Sequence, residues 1–339
     1  MEKWYDYTGE HGDVVLLSEV GLKRNIDGIP FPVRLNTNEK NAVNAKICSV
    51  VSAHGDPLHK IDMARLYPYE AASLAELSLI TPAFASVSDG HVLLLSEDEK
   101  ISIMLCEEDH INIKASEGGL APEKAYAAAY SYDRLLHSAL HFAFDPKLGY
   151  LNQNPLDLGT GLRVSVVLHL PALSGTGKMP ALASTVSKLG LRVCGAFGDG
   201  LAVKGDMVRI VNLVSMGITE EEAISNLKSI ALQLATEERR TAEKYVSEVS
   251  VKDKINRAVG LLKNAVLLST DEMTEALSWM RLGALYGVCE ADITAINELF
   301  VTMQPACVNC LAGERIPSAK RDELRADIVR KKLFSGKRG

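Results

Sequence analysis

Asp157-Leu-Gly-Thr-Gly-Leu-Arg163 is a short loop that leads directly into the β-branched run Val164-Ser-Val-Val-Leu-His-Leu-Pro171. Gly159 and Gly161 permit positive φ values or a close approach of the backbone to a ligand. Arg163 then presents a planar, permanently charged guanidinium, which suits a phosphate or a carboxylate. The run after it predicts a buried strand. A loop of this kind is also typical of an ordinary tight turn, so both interpretations stay open at this point.

Composition narrows the class of protein. The chain has 339 residues, of which 47% are hydrophobic and 24% charged, as in a soluble globular protein with a full core. Its formal net charge of −6 argues against general nucleic-acid binding. No apolar run approaches the roughly 18 residues of a membrane helix, and the first residues lack an apolar signal core. We therefore expect a cytoplasmic protein that binds neither nucleic acid nor membrane.

The cysteines indicate free thiols rather than a disulfide framework or a metal site. All six are scattered along a chain that we expect in a reducing compartment. Cys307-Val-Asn-Cys310 has the spacing of a zinc knuckle, but no second pair and no nearby histidine accompanies it. We expect no metal site.

Hydrophobic periodicity divides the chain into a mixed α/β part and a helical part. The pattern changes near residue 248, which predicts a mixed α/β domain over 1–248 and a helical domain over 249–339. Strands are predicted at 13–22, 83–87, 91–95, 101–106, 111–114, 164–170, 191–195 and 206–216. Helices are predicted at 38–53, from Tyr67 onward, and at 122–144, 180–189, 219–247, 253–268, 271–287, 290–302 and 318–334.

Two acidic features could carry chemistry. Cys106-Glu-Glu-Asp-His110 places three carboxylates and an imidazole at the end of a predicted strand. Two carboxylates can hold the fork of a guanidinium, and one of them can act as a general base. Asp199 is a single acid in the glycine-rich loop 195–200. A solvated acidic turn and a plain turn residue are the alternative interpretations.

Three motifs together resemble the ATP:guanido phosphotransferases, the family of creatine and arginine kinases. The stretch 154–163 is similar to the family's Cys-Pro-x-Asn-Leu-Gly-Thr-Gly-Leu-Arg, and residues 106–110 resemble its Asn-Glu-Glu-Asp-His. Residues 194–200 resemble its Arg-Gly-x-x-Gly-Glu-x loop. The helical tail with Arg321-Asp-Glu-Leu-Arg-Ala326 resembles the bacterial protein-arginine kinases.

The resemblance implies a fold and a reaction. The fold is α+β, an antiparallel sheet flanked by helices, which would make 1–248 the catalytic domain and 249–339 an all-helical dimerisation or regulatory domain. The family transfers the γ-phosphoryl group of Mg-ATP to a guanidinium, and its protein branch phosphorylates arginine side chains of proteins and so marks them for a Clp-type protease.

The resemblance also assigns roles to residues. Glu107 and Glu108 would bind the guanidinium, with Glu108 the better candidate for the base, and Asp199 would replace a second, loop-borne glutamate. Arg163, in the loop with Gly159 and Gly161, would bind ATP phosphates. The tail residues Arg321, Asp322 and Arg325 would form a phosphoarginine site.

The departures from the family pattern concern the phosphate-binding arginines. Four positions that carry such arginines in the family hold Glu19, Gly21, Asn112 and Cys194 in this chain. Asn154 stands where the family has its reactive cysteine. Lys23, Lys114 and Arg192 each lie two residues from a lost arginine and so could replace it on the same strand face.

These losses bear directly on the reaction. Phosphoryl transfer depends on positioning and charge neutralisation, so we expect a strong loss of activity. The sequence predicts a dimeric pseudokinase with a regulatory or adaptor role in Clp-linked quality control, which recognises arginine or phosphoarginine proteins and contacts a Clp-type ATPase or an active kinase. An active kinase with a rearranged clamp, and a purely structural partner of a true kinase, are the alternatives.

Overall fold

One antiparallel sheet of eight strands forms the framework of the first domain. The computed structural model describes residues 2–53, 57–197 and 202–334. The strand order is β2-β3-β4-β5-β1-β8-β10-β9, with the separate hairpin β6-β7 beside it. The strands are β1 Val15–Arg24, β2 Leu58–Asp62, β3 Val92–Ser96, β4 Ile101–Leu105, β5 Ile111–Gly118, β6 Phe144–Asp145, β7 Gly149–Tyr150, β8 Leu162–His169, β9 Leu191–Gly195 and β10 Met207–Asn212.

Helices pack against this sheet and form the second part of the chain. Those of the first part are α1 Thr37–Ala53, α2 Pro68–Glu76, α3 Pro82–Ser86, α4 Pro122–Ala139, α5 Pro171–Gly175, α6 Met179–Lys188 and α7 Glu220–Tyr245. Those of the second part are α8 Val249–Asn264, α9 Thr270–Leu285, α10 Ile293–Thr302, α11 Pro305–Ala312 and α12 Ser318–Phe334. The antiparallel sheet with flanking helices and the helical C-terminal region confirm the predicted α+β class.

The central strands alternate between a core face and an open face. On β1, Val20, Leu22 and Arg24 point to the side that α4 covers, and all three are buried. Glu19 and Lys23 lie on the opposite side, as the two-residue period of a strand requires. Since β1 pairs with β5 on one side and β8 on the other, this open face collects side chains from several strands.

One predicted strand is a helix. Residues 82–86 form α3 instead of the strand predicted over 83–87, because Pro82 occupies the first turn and the Thr81 hydroxyl accepts the Phe84 N–H at 3.0 Å. A proline in the first turn and a threonine N-cap both favour helix initiation. The strand predicted over 91–95 is confirmed as β3, and it pairs with β4 and with β2, a strand that the periodicity did not reveal.

The two parts of the chain pack closely against each other. α7 ends at Tyr245 and α8 begins at Val249, so the division near residue 248 falls between these two helices and remains a proposal. Glu76 of α2 accepts the N–H groups of Ala306 and Cys307 at the start of α11. No helix within the described residues is long and apolar enough to span a membrane.

Candidate functional site

The open face of the sheet forms the floor of a cleft of about 450 Å³. Residues two apart on each strand contribute to it, and the register aligns them across strands: Gly21 of β1 faces Lys114 of β5 and Arg163 of β8. Five cationic side chains line this cleft, namely Lys23, Lys114, Arg163, Arg192 and Arg209. The sheet therefore brings Arg163 together with the three cations that the sequence suggested as replacements for lost arginines.

The acidic motif lies at one end of the cleft, in the turn between β4 and β5. The Glu107 carboxylate accepts a hydrogen bond from the Thr81 hydroxyl and one from the Asn112 amide, the latter at 3.5 Å. The Glu108 side chain is 45% exposed and forms an ion pair with Lys23 at 3.0 Å. The two carboxylates that we assigned to a guanidinium are thus both present, but each has a partner from the chain itself.

The other two residues of the motif hold the turn in place. Asp109 is buried and accepts hydrogen bonds from the Asn25 side chain at 2.6 Å and the Gln153 N–H at 2.9 Å, while burial raises its pKa. The Nδ1 atom of His110 accepts the Ile26 N–H, so its Nε2–H donates to the carbonyl of Pro30. Burial lowers the pKa of His110, which favours this neutral form. Both residues are structural supports of Glu107 and Glu108.

Arg163 is held by the protein itself. Its Nε donates to Asp157 at 2.5 Å, and its Nη1 donates to the carbonyls of Asn212 and Leu213 at 2.7 and 3.0 Å. Asp157, which stands where the family motif has asparagine, is fully buried and also pairs with Lys23 at 2.8 Å. One aspartate therefore neutralises two of the five cations, an effect that the sequence motif did not indicate.

Both glycines of the loop are required by contacts within the chain. Gly159 has φ +96°, and a Cβ there would lie 2.4 Å from the carbonyl oxygen of Ser215. Gly161 has φ +65°, and a Cβ there would lie 2.7 Å from the Arg24 guanidinium. Close packing explains the Gly-x-Gly pattern without a ligand, and a role in binding ATP stays a prediction for these two residues.

Glu19 occupies the centre of the cleft floor. Its carboxylate forms ion pairs with Lys114 at 2.5 Å and with Arg209, and it accepts the Ser165 hydroxyl at 3.2 Å. Arg209 was missed by sequence reasoning, because it matches no family motif. Its place on the open face follows only from the pairing of β10 with β8.

The predicted tail site has one buried and one accessible arginine. Arg325 is fully buried, and its guanidinium donates to the carbonyls of Met303 and Leu268 and to Asp322. Arg321 is partly exposed and donates to the carbonyl of Ile316 at 2.7 Å. The structure brings the three tail residues together, while their binding of phosphoarginine stays a prediction. Asp199 lies outside the described residues.

Two family models match this chain. The ATP:guanido phosphotransferase C-terminal catalytic domain matches residues 40–241, and the protein-arginine kinase McsB C-terminal domain matches residues 248–338. The protein-arginine kinase of Halothermothrix orenii is 37% identical over 337 residues, which cover 98% of this chain and 97% of that protein. The protein-arginine kinase of Symbiobacterium thermophilum is 37% identical over 340 residues, or 98% of this chain and 96% of that protein.

Solved structures share the fold at lower identity. The duplicated taurocyamine kinase from Schistosoma mansoni with bound transition-state analogue components has a TM-score of 0.61 and 18% identity, covering 78% of this chain and 39% of that chain. Lombricine kinase has a TM-score of 0.59 and 21% identity, covering 71% of this chain and 70% of that chain. At this identity the likeness extends to the fold alone.

Proposed function

Since the chain belongs to the ATP:guanido phosphotransferase family, in its protein-arginine kinase branch, we propose that it is a catalytically impaired member with a regulatory or adaptor role. The observation that carries this proposal is the internal pairing of the cleft. Lys23 and Arg163 share Asp157, while Lys114 and Arg209 share Glu19. Four of the five cations that line the cleft thus have carboxylate partners from the chain.

Internal pairing opposes phosphoryl transfer in two ways. A nucleotide must displace Glu19 or Asp157 before its phosphates can contact the paired cations, and the displaced carboxylates would remain close to the phosphates. Catalysis in this family of reactions depends on positioned positive charge and on bound metal ions at the transferred group. With carboxylates inside the site, the same cations supply much less net charge.

The residues that are present would fit Mg-ATP only in part. Arg192 lines the cleft and would contact phosphate oxygens, whereas Arg163 would do so only after Asp157 is displaced. Glu108 could accept a proton from a guanidinium if Lys23 moved away. If bound, Mg-ATP would supply the γ-phosphoryl group. An active kinase with a rearranged clamp is the second candidate, and the presence of five cations in one cleft is the observation in its favour.

Binding of Mg-ATP distinguishes these candidates. We expect a dissociation constant larger than about 1 mM, because the cleft carboxylates repel the triphosphate. This value corresponds to a binding free energy of less than about 4 kcal/mol in magnitude. Isothermal titration calorimetry measures this dissociation constant. A separate assay follows phosphoryl transfer from Mg-ATP to an arginine-containing protein. Micromolar binding with transfer would contradict the proposal and identify Lys23, Lys114 and Arg192 as the new clamp, which their alanine variants would test.

Recognition of phosphoarginine by the C-terminal domain would give the protein an adaptor role. In this role the protein would act in the cytoplasm. It would bind proteins that contain arginine or phosphoarginine and would deliver them to a Clp-type ATPase or to an active kinase. Support comes from Arg321, which is accessible beside the Asp322–Arg325 pair.

Arg321→Ala should therefore weaken phosphoarginine binding by roughly 1.5–3 kcal/mol, the range for hydrogen bonds to charged groups. A titration with phosphoarginine, and with arginine as the control ligand, measures this loss. Arg315→Ala removes the same charge from an exposed position nearby and should have little effect. Equal affinity for arginine and phosphoarginine, or an unchanged Arg321→Ala variant, would show that the tail is only a solvated helix.

A homodimer through the helical part is the proposed assembly. Val266 and Leu267 follow α8 and are 72% and 60% exposed, and Leu261 on α8 is 38% exposed. Apolar side chains that cluster in this way are typical of symmetric interfaces. Light scattering at tens of micromolar should give the mass of a dimer, and Val266→Asp should give a monomer. Val33→Asp, at an equally exposed valine of the first part, should remain dimeric. A monomeric wild type would contradict this assembly.

A further inference from the structure

Glu19 is a buried carboxylate that pairs with two cations. The residue is 4% exposed, and its two carboxylate oxygens contact Lys114 and Arg209, with the Ser165 hydroxyl as a third partner. Arg192 of β9 lies at the same register as Ser165 of β8, with Val211 of β10 between them. Glu19 thus pairs with two cations, and Arg192 lies beyond them on β9, where it lines the same cleft.

These three cations stand between two cavities. Lys114, Arg192 and Arg209 line the cleft of about 450 Å³ and also line a second cavity of about 270 Å³ that extends toward Phe197 and Gln304. A ligand in either cavity would therefore meet the same three side chains. Because there is space for a ligand on both sides, these three cations differ from an ion pair that is fully enclosed in a hydrophobic core.

The charge of this group is incompletely neutralised. Lys114 and Arg209 bring two positive charges to the single Glu19 carboxylate in a poorly solvated place, and the exposed Arg192 adds a third at its edge. Glu76 also lines the second cavity, but its carboxylate accepts the N–H groups of Ala306 and Cys307. Burial lowers the pKa of Lys114 to about 8 and that of Arg209 to about 10, because the charged forms are incompletely solvated there. A structural ion pair would need only one of the cations, whereas an anion with several charged oxygens would use all three.

We propose that Lys114, Arg192, Arg209 and the Ser165 hydroxyl form a binding site for an oligophosphate chain, and that the Glu19 carboxylate is a built-in occupant that keeps this site closed. The inference rests on the proposed function, because it explains why the wild-type cleft binds nucleotide poorly. The site opens when Glu19 loses its charge or turns away. The shared chemistry of the ligand is a chain of phosphates, either inorganic or carried by a nucleotide.

Glu19→Gln tests the proposal, because glutamine retains the shape and an oxygen acceptor but not the charge. Tripolyphosphate is titrated into wild type and variant by calorimetry at low ionic strength, where charge-dominated binding is strongest. Glu19→Gln should bind at least about tenfold more tightly than wild type, and Arg209→Gln added to it should remove the gain. Glu117→Gln is the matched control: it neutralises a similarly buried carboxylate on β5 that pairs with Lys100 and Lys124, away from the cleft.

The outcomes separate the two proposals. Equal affinity of Glu19→Gln and wild type for tripolyphosphate would overturn the built-in occupant, as would an equal gain in Glu117→Gln. Micromolar Mg-ATP binding by wild type would instead overturn the proposed function. In Glu19→Gln, a gain for both tripolyphosphate and Mg-ATP would assign the site to nucleotide phosphates, and a gain for tripolyphosphate alone would assign it to inorganic chains.

A second measurement covers the case in which Glu19→Gln does not fold. Arg192 is exposed and can be replaced without disturbing the core. Because tripolyphosphate must compete with the Glu19 carboxylate in wild type, concentrations of tens of millimolar are used. They should raise the thermal unfolding midpoint of wild type slightly, since a ligand of the folded state stabilises it, and Arg192→Ala should reduce this rise. An equal rise in both proteins, or none in wild type, would overturn the site.

Discussion

Replacing Arg281 by methionine should lower the free energy of unfolding by about 3–5 kcal/mol, the range for leaving several buried polar partners without a donor. Arg281 on α9 is fully buried and donates to the carbonyls of Gly12 and Asp13, to Asn297 and to Nδ1 of His169. Methionine fills most of the volume but supplies no donor. The loss should therefore come from the unsatisfied acceptors rather than from a cavity.

The same contacts define a hydrogen-bonded chain between the two parts of the protein. Because Arg281 can only donate, Nδ1 of His169 is an acceptor and its Nε2–H donates to Ser278 at 2.9 Å, which donates to Asp206 at 2.7 Å. Burial and the Arg281 charge lower the pKa of His169 and favour this neutral imidazole. Loss of Arg281 should thus weaken the contact between α9 and the end of β8.

Urea unfolding measures this effect, followed by the fluorescence of Trp279 on α9 and by circular dichroism. Arg257→Met is the control, since the Arg257 side chain is 78% exposed and pairs with Asp253 on the same helix. Its effect should stay within about 0.5 kcal/mol. If the Arg281→Met protein is as stable as this control, the hydrogen bonds of Arg281 between the two parts of the chain make no net contribution to the free energy of unfolding.

Replacing Arg325 by methionine should cost about 3 kcal/mol and act mainly on the helical part. Its guanidinium joins α12 to the carbonyl of Leu268 before α9 and to that of Met303 after α10, at 2.8 and 2.9 Å, and pairs with Asp322 at 2.6 Å. The substitution leaves two buried carbonyls and one carboxylate without this donor.

Arg321→Met provides the comparison for Arg325→Met within the same motif. Arg321 makes a hydrogen bond to Ile316 from a partly exposed position, so its loss should cost less than about 1 kcal/mol. Thermal unfolding followed by circular dichroism measures both variants. Equal stability of the two would contradict the structural role of Arg325, and it would leave ligand binding as the reason for both arginines.

Much of the fold could be read from the sequence, because local patterns specify it. The helix predicted from 219 is confirmed as α7, which begins after the capping box Thr219–Glu222, and α12 spans Ser318–Phe334 as predicted. The motifs around Glu107 and Arg163 identified the family before any geometry was known. Local signals failed where they conflicted: the apolar residues of α3 suggested a strand, but Thr81 and Pro82 start a helix there.

The chemistry of the cleft was decided by tertiary structure. The sequence showed that phosphate-binding arginines are missing, and that Lys23, Lys114 and Arg192 could stand near their places. It could not show that Arg209 reaches Glu19, since these residues are far apart in the chain and meet only through the order β1-β8-β10.

The same limit applies to Asp157, which reads as a loop residue but neutralises Lys23 and Arg163 from a buried position. It applies equally to Arg281 and Arg325, which are fully buried although arginines on helices are mostly exposed. Sequence patterns report which face of an element is apolar and which residue types are available. Pairing of charges depends on distances between atoms of different elements, and only the packed sheet and helices set those distances.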